Sequence, residues 1–564
     1  TVAAEIFVLT GHVAGMVGPA SVIVLVAIGL LSVAVALNYA ELATAFPVTG
    51  GALTYVREGY GPGLLSFLVG SIDCLSSAFY AALSAVGFGY SLQLFLPWIP
   101  AVPVAIVTAG VFTFLNILGV SKVGRVQLVL GGVLLGLLGV YIVAGLVGPQ
   151  GFSWQTFLPE GRLFVHRGAW GNVAPMLAAM ALIFNAFVGY EIIADDAEEV
   201  QDYGRVIPRG ILISLAAITL VYVLVTLVTL GTISWHELAG SRLAMADAAA
   251  RFLPRWGAPL VGLAGIIATL TSVNTAMLAA TREALTLSRM GAWPRFMSRL
   301  GRLRTPYMAS LAVGGAVAVV AAIGVVEFLS YISSSGYLFV VFWASLAMVR
   351  LRRTRPDLPR PFRAPWFPWT AYVAAGLCAV VVMFTDWRAL LFGGGLLALL
   401  TAGYLLRPAL ERFAAGRVRV APAVHDRILL PVANPNTALG LARLATTLAE
   451  RIPGTVVSTL SVVSRPGPRR PSGNGHAPTA GNHPVLIDRL GQRQQALLRQ
   501  VAEEVQGHNV PYYGEVRVAS RVAEGIIQEV AESGNVRLLL MGWPGPMELG
   551  TLRENPVAEV LAEA

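Results

Sequence analysis

Long apolar runs separated by short, arginine-rich polar stretches fill residues 1–406. A helix needs about 20 apolar residues to cross the roughly 30 Å hydrocarbon core of a bilayer. Runs of that kind lie near 20–45, 63–95, 101–120, 126–148, 174–196, 210–232, 256–285, 306–326, 328–349, 368–385 and 387–406. With a shorter opening run, Thr1–Met16, they predict twelve membrane segments. The chain opens at Thr1 with neither an initiator methionine nor a cleavable signal pattern, so the opening run reads as the remainder of a truncated first span.

From about residue 426 the pattern changes. Arg427–Ala433 reads as a short buried strand, Asn436–Ile452 has helical spacing, Thr455–Val463 is β-rich, and the Pro-, Gly- and Arg-rich stretch Ser464–His483 reads as a loop. Residues 485–507 then read as a helix, Tyr512–Ala519 as a strand, Arg521–Glu532 as a helix and Val536–Met541 as an apolar strand. Strands alternating with helices predict right-handed βαβ crossovers and a parallel sheet covered on both faces. The expected division is a membrane domain, 1–407, a linker, 408–425, and an α/β domain, 426–564.

Composition agrees with two solvents. Of 564 residues, 56% are hydrophobic and 13% charged, whereas a soluble domain carries about 25% charged residues; the mean hydropathy is +0.69. The net charge of +9 does not mark a nucleic-acid binder, because the arginines lie between apolar runs rather than on one aromatic-rich surface. When loops are assigned to alternate sides, one side collects Lys122, Arg205, Arg209, Arg289 and the cluster from Arg350 to Arg363. The other holds scattered arginines mixed with Glu160, Glu237 and Asp386. The basic side is expected to be cytoplasmic, and with it everything after Leu406. Cys74 and Cys378 fall inside apolar runs without partners at metal-ligand spacing, which predicts neither a disulfide framework nor a zinc site.

A binding site within hydrocarbon has to be polar without orphaning backbone groups, which a helix broken over a cavity achieves. Polar or glycine interruptions stand at the start of two five-span halves. One is Ala3-Ala4-Glu5-Ile6-Phe7, and the other is Phe184-Asn185-Ala186-Phe187-Val188-Gly189-Tyr190-Glu191. Further marks, in order, are Ile6–Gly11 (IFVLTG), Asn38–Leu42 (NYAEL), Phe46–Gly51 (FPVTGG), Ala197–Val200 (AEEV) with Ile207-Pro208-Arg209, Asn274–Arg282, Pro306-Tyr307 and Arg355–Arg363 (RPDLPRPFR). On these, residues 1–406 resemble the amino acid, polyamine and organocation (APC) superfamily of permeases.

The resemblance implies an α-helical polytopic protein of the cell membrane with the inverted-repeat, leucine-transporter-type fold. It also implies secondary transport of an amino acid by alternating access, coupled to a proton or sodium ion. The substrate would meet Ala3, Ala4, Glu5, Ile6 and Phe7 of the first broken segment and Phe184, Asn185, Ala186, Phe187, Gly189, Tyr190 and Glu191 of the second. The family's glycine-rich triplet before Ile6 reads Ala3-Ala4-Glu5 here.

Glu5 has two readings, a structural acid that is protonated or paired, or a group for proton coupling or for holding a cation. Asp73, near the middle of its span, has the same two. Glu191 either stands close to substrate or caps loose N–H groups, and Asp195, Asp196, Glu198 and Glu199 read as a solvated or gating face. Among Thr269, Thr271, Ser272, Asn274 and Thr275, hydroxyls either coordinate sodium or satisfy helix carbonyls. Thr271 and Ser272 join Glu5 and Asp73 as coupling-ion candidates. Ser333-Ser334-Ser335-Gly336 is a candidate lining for the outer pathway. His12 and His166 fall in outward loops without a partner cluster and take no role. No paired-carboxylate, Ser/His/Asp or phosphate-loop constellation stands in the membrane region, so an enzyme is not expected.

Residues 426–564 resemble the universal stress protein family, on Ile428-Leu-Leu-Pro-Val432, the Val516–Ala519 strand leading into Gly525-Ile-Ile527, and Leu538–Gly542 before a turn. In nucleotide-binding members that turn holds phosphates at a helix N-terminus. The matching residues are Gly542, Gly545, Gly550 and Thr551, with a shorter approach to the last glycine and with Ala433-Asn434 where the motif carries an acid. Two readings stay open: ATP, AMP or another nucleotide bound there, or a regulatory or structural domain without a cofactor, able to pair with a second copy. The chain stops at Ala564 inside a predicted helix, so the family's closing strand is expected to be missing. Two rival functions remain, an inorganic cation (potassium) carrier using Glu5 and Asp73, and a membrane-tethered nucleotide sensor.

Overall fold

The apolar runs fold as helices. In the computed structural model they are α1 (Glu5–Val8), α2 (Thr10–Val17), α3 (Ser21–Ala45), α4 (Gly51–Tyr60), α5 (Leu64–Gln93), α6 (Ala101–Leu118), α7 (Val123–Val147), α8 (Ala169–Ile183), α9 (Tyr203–Thr232), α10 (Ala244–Phe252), α11 (Gly257–Arg289), α12 (Tyr307–Ala321), α13 (Val326–Thr354), α14 (Trp369–Met383) and α15 (Trp387–Ala415). The structure describes residues 3–47, 50–119, 123–166, 168–190, 200, 202–301, 303, 305–415, 427–432, 435–452, 455–464, 497–498, 500–505, 508, 510–519, 522–533 and 536–541. The chain divides into two units, Thr1–Leu410 and Glu411–Ala564.

Among the described residues, eight helical stretches are long and apolar enough to cross a membrane, and three apolar helices are shorter. The first unit is therefore a largely α-helical polytopic membrane protein. The opening run differs from a full span: α1 and α2 together cover only Glu5–Val17, and a 3₁₀ turn, Gly18–Ala20, leads straight into α3. At 1.5 Å per residue that opening stretch reaches about 20 Å, short of the hydrocarbon core. His12 lies within α2 and not in a loop, because helical winding continues through Thr10 and Gly11. Its Nε2 is paired with the Glu327 carboxylate at the start of α13. The His166 backbone N–H donates to Asn172 Oδ1 (3.0 Å), tying down the entry to α8.

Burial sorts the helices into an inner and an outer set. The most apolar stretch of α13 is 67% buried, and that of α15 only 6%. An apolar helix exposed to that degree needs hydrocarbon around it. At the centre, α5 packs along both α11 and α13. Close approach there depends on Gly336, since a Cβ at that position would stand 2.1 Å from Ser76 Oγ.

The second unit carries β1 (Arg427–Pro431), α16 (Pro435–Arg451), β2 (Val456–Ser464), β3 (Tyr512–Ala519), α17 (Val522–Ser533) and β4 (Val536–Leu539). The four strands form a parallel sheet in the order β3-β2-β1-β4. Alternation along β1 sends Ile428 and Leu430 to one face, with Ala438, Ala442, Val501 and Val505, and Leu429 to the other, with Leu460, Ala523 and Ile526. Both faces are thus covered, as parallel strands require. The chain passes from β1 outward to β3 and then returns to the far side of β1, which creates a switch point between β1 and β4. Gly542, Gly545, Gly550 and Thr551, which follow β4, lie outside the described residues.

Candidate functional site

Helical winding is lost in the apolar run that contains α8. That helix ends at Ile183, a 3₁₀ turn takes Phe184–Phe187, Val188 is extended (φ −77°, ψ 154°), and Gly189 sits at φ +124°, a conformation open to glycine and strained for other residues. The turn is pinned from both sides. Phe184 lies against Tyr337 (ring centroids 6.2 Å apart) and Phe187 stands edge-on to Tyr222 (5.4 Å). Asn185, 2% exposed, donates from Nδ2 to Ser333 Oγ (2.5 Å), and that hydroxyl donates in turn to the Ser76 carbonyl (2.8 Å). The Asn185 backbone N–H points at Ser334 Oγ (3.4 Å). Asn185 Oδ1 has no hydrogen-bond partner among the described residues.

A cavity of about 50 Å³ opens beside this break, between α5, α11 and α13. One water needs about 10–15 Å³ measured this way, so the hollow holds several. Its α5 wall is Asp73, Ser76, Ser77 and Tyr80, one stripe at i, i+3, i+4 and i+7 of that helix. Across from it, α11 contributes Ser272, Thr275 and Glu283. Tyr80 closes one end, its hydroxyl 3.5 Å from Ser272 Oγ and beside the Ala4 backbone. Asp73 and Glu283 mark the other end, near the contact between Cys74 Sγ and the Ala280 carbonyl (3.3 Å).

Residues 1–394, most of the chain and all of this site, match the family profile described as amino acid permease. The chain belongs to the amino acid permease family. Over 407 residues the permease is 29% identical to the branched-chain amino acid permease BcaP of Bacillus subtilis, an alignment spanning 68% of this chain and 84% of that protein. It is 26% identical over 398 residues to the methylthioribose transporter of the same organism (66% and 82%). To the branched-chain amino acid permease BcaP of Lactococcus lactis it is 24% identical over 425 residues (70% and 88%). Membership of this family makes the chain a transporter and not an enzyme.

Of the residues singled out in the permease's sequence, Asn185 and Gly189 reach the cavity together with Asp73, Ser272, Thr275 and Ser333. Ala3, Ala4, Glu5, Ile6 and Phe7 are all buried behind the Tyr80 end, where the Ala3 N–H donates to the Tyr222 hydroxyl (2.7 Å) instead of to a helix carbonyl. Phe184, Ala186, Phe187 and Tyr190 are buried in packing, Tyr190 edge-on to Tyr39 (6.1 Å). Glu5 is fully buried: Ser330 Oγ lies 3.1 Å from its Oε1, and Oε2 has no partner among the described residues. Thr271 donates to the Ile267 carbonyl (2.8 Å) and Thr269 to the Gly265 carbonyl (2.7 Å), so both hydroxyls satisfy their own helix. Ser333 faces the cavity, while Ser335 donates back to the Ile332 carbonyl (3.1 Å). Glu191, Asp195, Asp196, Glu198 and Glu199 lie outside the described residues.

Sequence reasoning missed Ser76, Ser77, Tyr80, Glu283 and Tyr337. For the first three a signal existed, since polar residues one helical turn apart within an apolar span mark one face turned away from lipid.

Proposed function

We propose that this permease carries amino acids through the cell membrane by alternating access, with the substrate held where the run after α8 is broken. The observation that carries the reading is the pairing of that break with a polar cavity. Asn185 and Gly189 open onto a hollow lined from α5, α11 and α13, in a bundle otherwise packed with apolar side chains. Non-helical backbone at membrane depth is tolerated where it lines such a space. Relatives named for branched-chain amino acids support an amino acid as the solute, while another is named for methylthioribose, which is not an amino acid.

The finer reading has four parts. The fold is an inverted repeat of twelve spans in which Ala3–Phe7 and Phe184–Glu191 occupy matching places. Transport is coupled to protons, with Glu5 as the carrier and Asp73, Thr271 and Ser272 as the further coupling-ion candidates. The arginine-rich loops and the second unit are cytoplasmic, as the asymmetry of basic residues supports. The second unit is of universal-stress-protein type and regulates transport; Gly542, Gly545, Gly550 and Thr551 are its candidate nucleotide-binding residues and a second copy is its candidate partner. Its strand order supports that ligand position, because open parallel sheets bind at the carboxyl ends of strands flanking a switch point.

The test is uptake of a radiolabelled amino-acid mixture by the full chain in proteoliposomes under an inward proton gradient. The expected result is accumulation that an uncoupler abolishes. Absence of uptake for every amino acid would overturn the transport reading, and uptake indifferent to the uncoupler would overturn proton coupling alone.

A further inference from the structure

We infer that the cavity selects small, uncharged amino acids whose side chain both gives and takes a hydrogen bond, such as threonine, serine or asparagine. The inference rests on the cavity being the transport site. Asn185 carries it, because the hydrogen bonds around that side chain fix which way its amide points. Ser333 has one hydroxyl proton and donates it to the Ser76 carbonyl (2.8 Å). Toward Asn185 the same oxygen can only accept, so the amide presents Nδ2 to it and turns Oδ1 the other way. Asn185 is 2% exposed and lines the hollow, and its Oδ1 has no hydrogen-bond partner among the described residues. A buried acceptor left in that state is costly, and a guest bearing an N–H or O–H supplies what it lacks.

Other polar groups on the wall sort by whether they are already engaged. Thr275 accepts from Gln127 Nε2 and donates to the Thr271 carbonyl (2.9 Å), and Ser333 is engaged on both sides. Asp73 and Glu283, at the far end, already interact within the protein, so neither is read as waiting for a cation. Ser272 on α11 differs, since its Oγ meets the Tyr80 hydroxyl only at 3.5 Å, at the long limit of a hydrogen bond. A hydroxyl or carboxamide on the guest can donate to Asn185 Oδ1 and accept from Ser272.

Apolar contact offers no competing preference. Among the described residues lining the hollow, the aliphatic side chains are Val188, Ala276 and Ala279, with no leucine, isoleucine or methionine. Valine has the shape of threonine, with a methyl group where threonine has its hydroxyl. Here valine would gain little by burial and would leave Asn185 Oδ1 unpaired. That is how a hydrogen-bonding site rejects an analogue lacking the polar group. Size agrees, because a hollow of about 50 Å³, room for a few waters, favours a short side chain over a long one.

The test compares threonine with its isostere valine, as unlabelled competitors of radiolabelled amino-acid uptake by the full chain in proteoliposomes. Threonine, serine and asparagine are expected to compete at least about tenfold better than valine or leucine, the scale of one hydrogen bond to an otherwise unpaired buried group. Asn185→Leu keeps the size of the side chain without its acceptor and should bring the threonine-to-valine ratio close to one. Ser272→Ala, a smaller change, should lower the same ratio in the same direction. Valine, leucine or lysine matching or outcompeting threonine in the unaltered protein would overturn the inference and leave amino-acid transport standing. A threonine preference that survives intact in both folded variants would overturn the assignment to these two residues. Uptake of no amino acid at all would sink the transport reading itself. Because the threonine and valine comparison uses the unaltered chain, it decides even where a variant fails to fold.

Discussion

Ser330 Oγ stands 3.1 Å from Glu5 Oε1 and 2.5 Å from the Leu182 carbonyl, so one hydroxyl ties the opening segment to the end of α8 just before its break. A hydroxyl has a single proton, which serves one acceptor at a time. If the proton goes to Leu182, Glu5 gains by holding a proton of its own. Glu5→Gln keeps shape and neutrality but cannot release that proton. We predict that E5Q retains counterflow exchange while losing accumulation driven by a pH gradient, by at least about tenfold for a group whose charged hydrogen bonds are removed. Paired counterflow and gradient-driven uptake measurements check this; a variant that accumulates substrate normally would show that Glu5 is structural.

Gly336 and Ser76 limit how closely α13 approaches α5. A Cβ on Gly336 would meet Ser76 Oγ at 2.1 Å, then Ile72 Cγ2 at 3.2 Å and Ser76 Cβ at 3.5 Å. Gly336→Ala is expected to lower stability by about 1–3 kcal/mol, the usual range for overpacking. Combining it with Ser76→Ala removes the worst contact and should recover part of the loss. Melting of the single and double variants in detergent forms the cycle, and simple additivity would mean that the two residues do not share the constraint.

Gly189 makes a backbone prediction. At φ +124° an L-residue is strained, typically by about 1–3 kcal/mol. Gly189→Ala should therefore distort the turn that carries Asn185 and depress uptake more than Gly→Ala at an exposed helical site such as Gly376, where an added Cβ meets nothing within 4 Å. Equal effects at the two positions would remove the special standing of the break.

Much of this architecture is legible in the sequence because its causes are local. Tyr512–Ala519 reads as a strand from the sequence, and the observed β3 has the same bounds. Apolar length located α5 and α11 to within a few residues. The cavity is legible only in part. Asn185 and Gly189 interrupt an apolar run and so announce themselves, whereas Glu283 reads as one more charge near the arginine-rich end of α11 until folding brings it alongside Asp73. The same holds for His12 and Glu327, which are far apart in sequence and joined by packing alone. Sequence spacing reports neighbours along one helix, and contacts between helices depend on rotations that no single helix encodes.

Glu41, almost fully buried near the end of α3, gathers groups from the arginine-rich segment after α13. Arg352 Nε donates to its Oε1 (2.6 Å) and Arg352 Nη2 to its Oε2, the Ala364 N–H donates to Oε2 (2.7 Å), and Arg360 Nε lies 3.5 Å from Oε1. Breaking a buried pair by removing one partner costs about 3–5 kcal/mol, since the remaining charge is left without compensation. Glu41→Ala should lower the Tm in detergent sharply. Arg352→Lys keeps the charge, loses the two-pronged contact and should fall between it and the unaltered protein. An unchanged Tm for E41A would mean that this network contributes nothing net.

The second unit offers the sharpest test of how a buried charge is tolerated. Glu529 on α17, 4% exposed, accepts from Arg427 Nη1 (2.8 Å) and Arg517 Nη2 (2.7 Å), while Arg427 Nε donates to Ser458 Oγ (2.6 Å) and its guanidinium lies 4.4 Å from the Tyr513 ring centre. One carboxylate thus joins β1, β3 and α17, and one arginine reaches β2 as well. Glu529→Gln leaves two cations facing a neutral amide and is expected to destabilise the unit by about 3–5 kcal/mol. In the full chain this should show as faster hydrogen exchange across β1 and β2, since local opening free energy sets protection. Replacing Arg427 and Glu529 together by Met and Leu removes both charges of one pair and leaves Arg517 near the edge strand. Because apolar replacement of a whole buried pair is often neutral or stabilising, the double variant should exchange more slowly than E529Q. The reverse order would mean that the ion pair stabilises the sheet beyond what apolar packing supplies there.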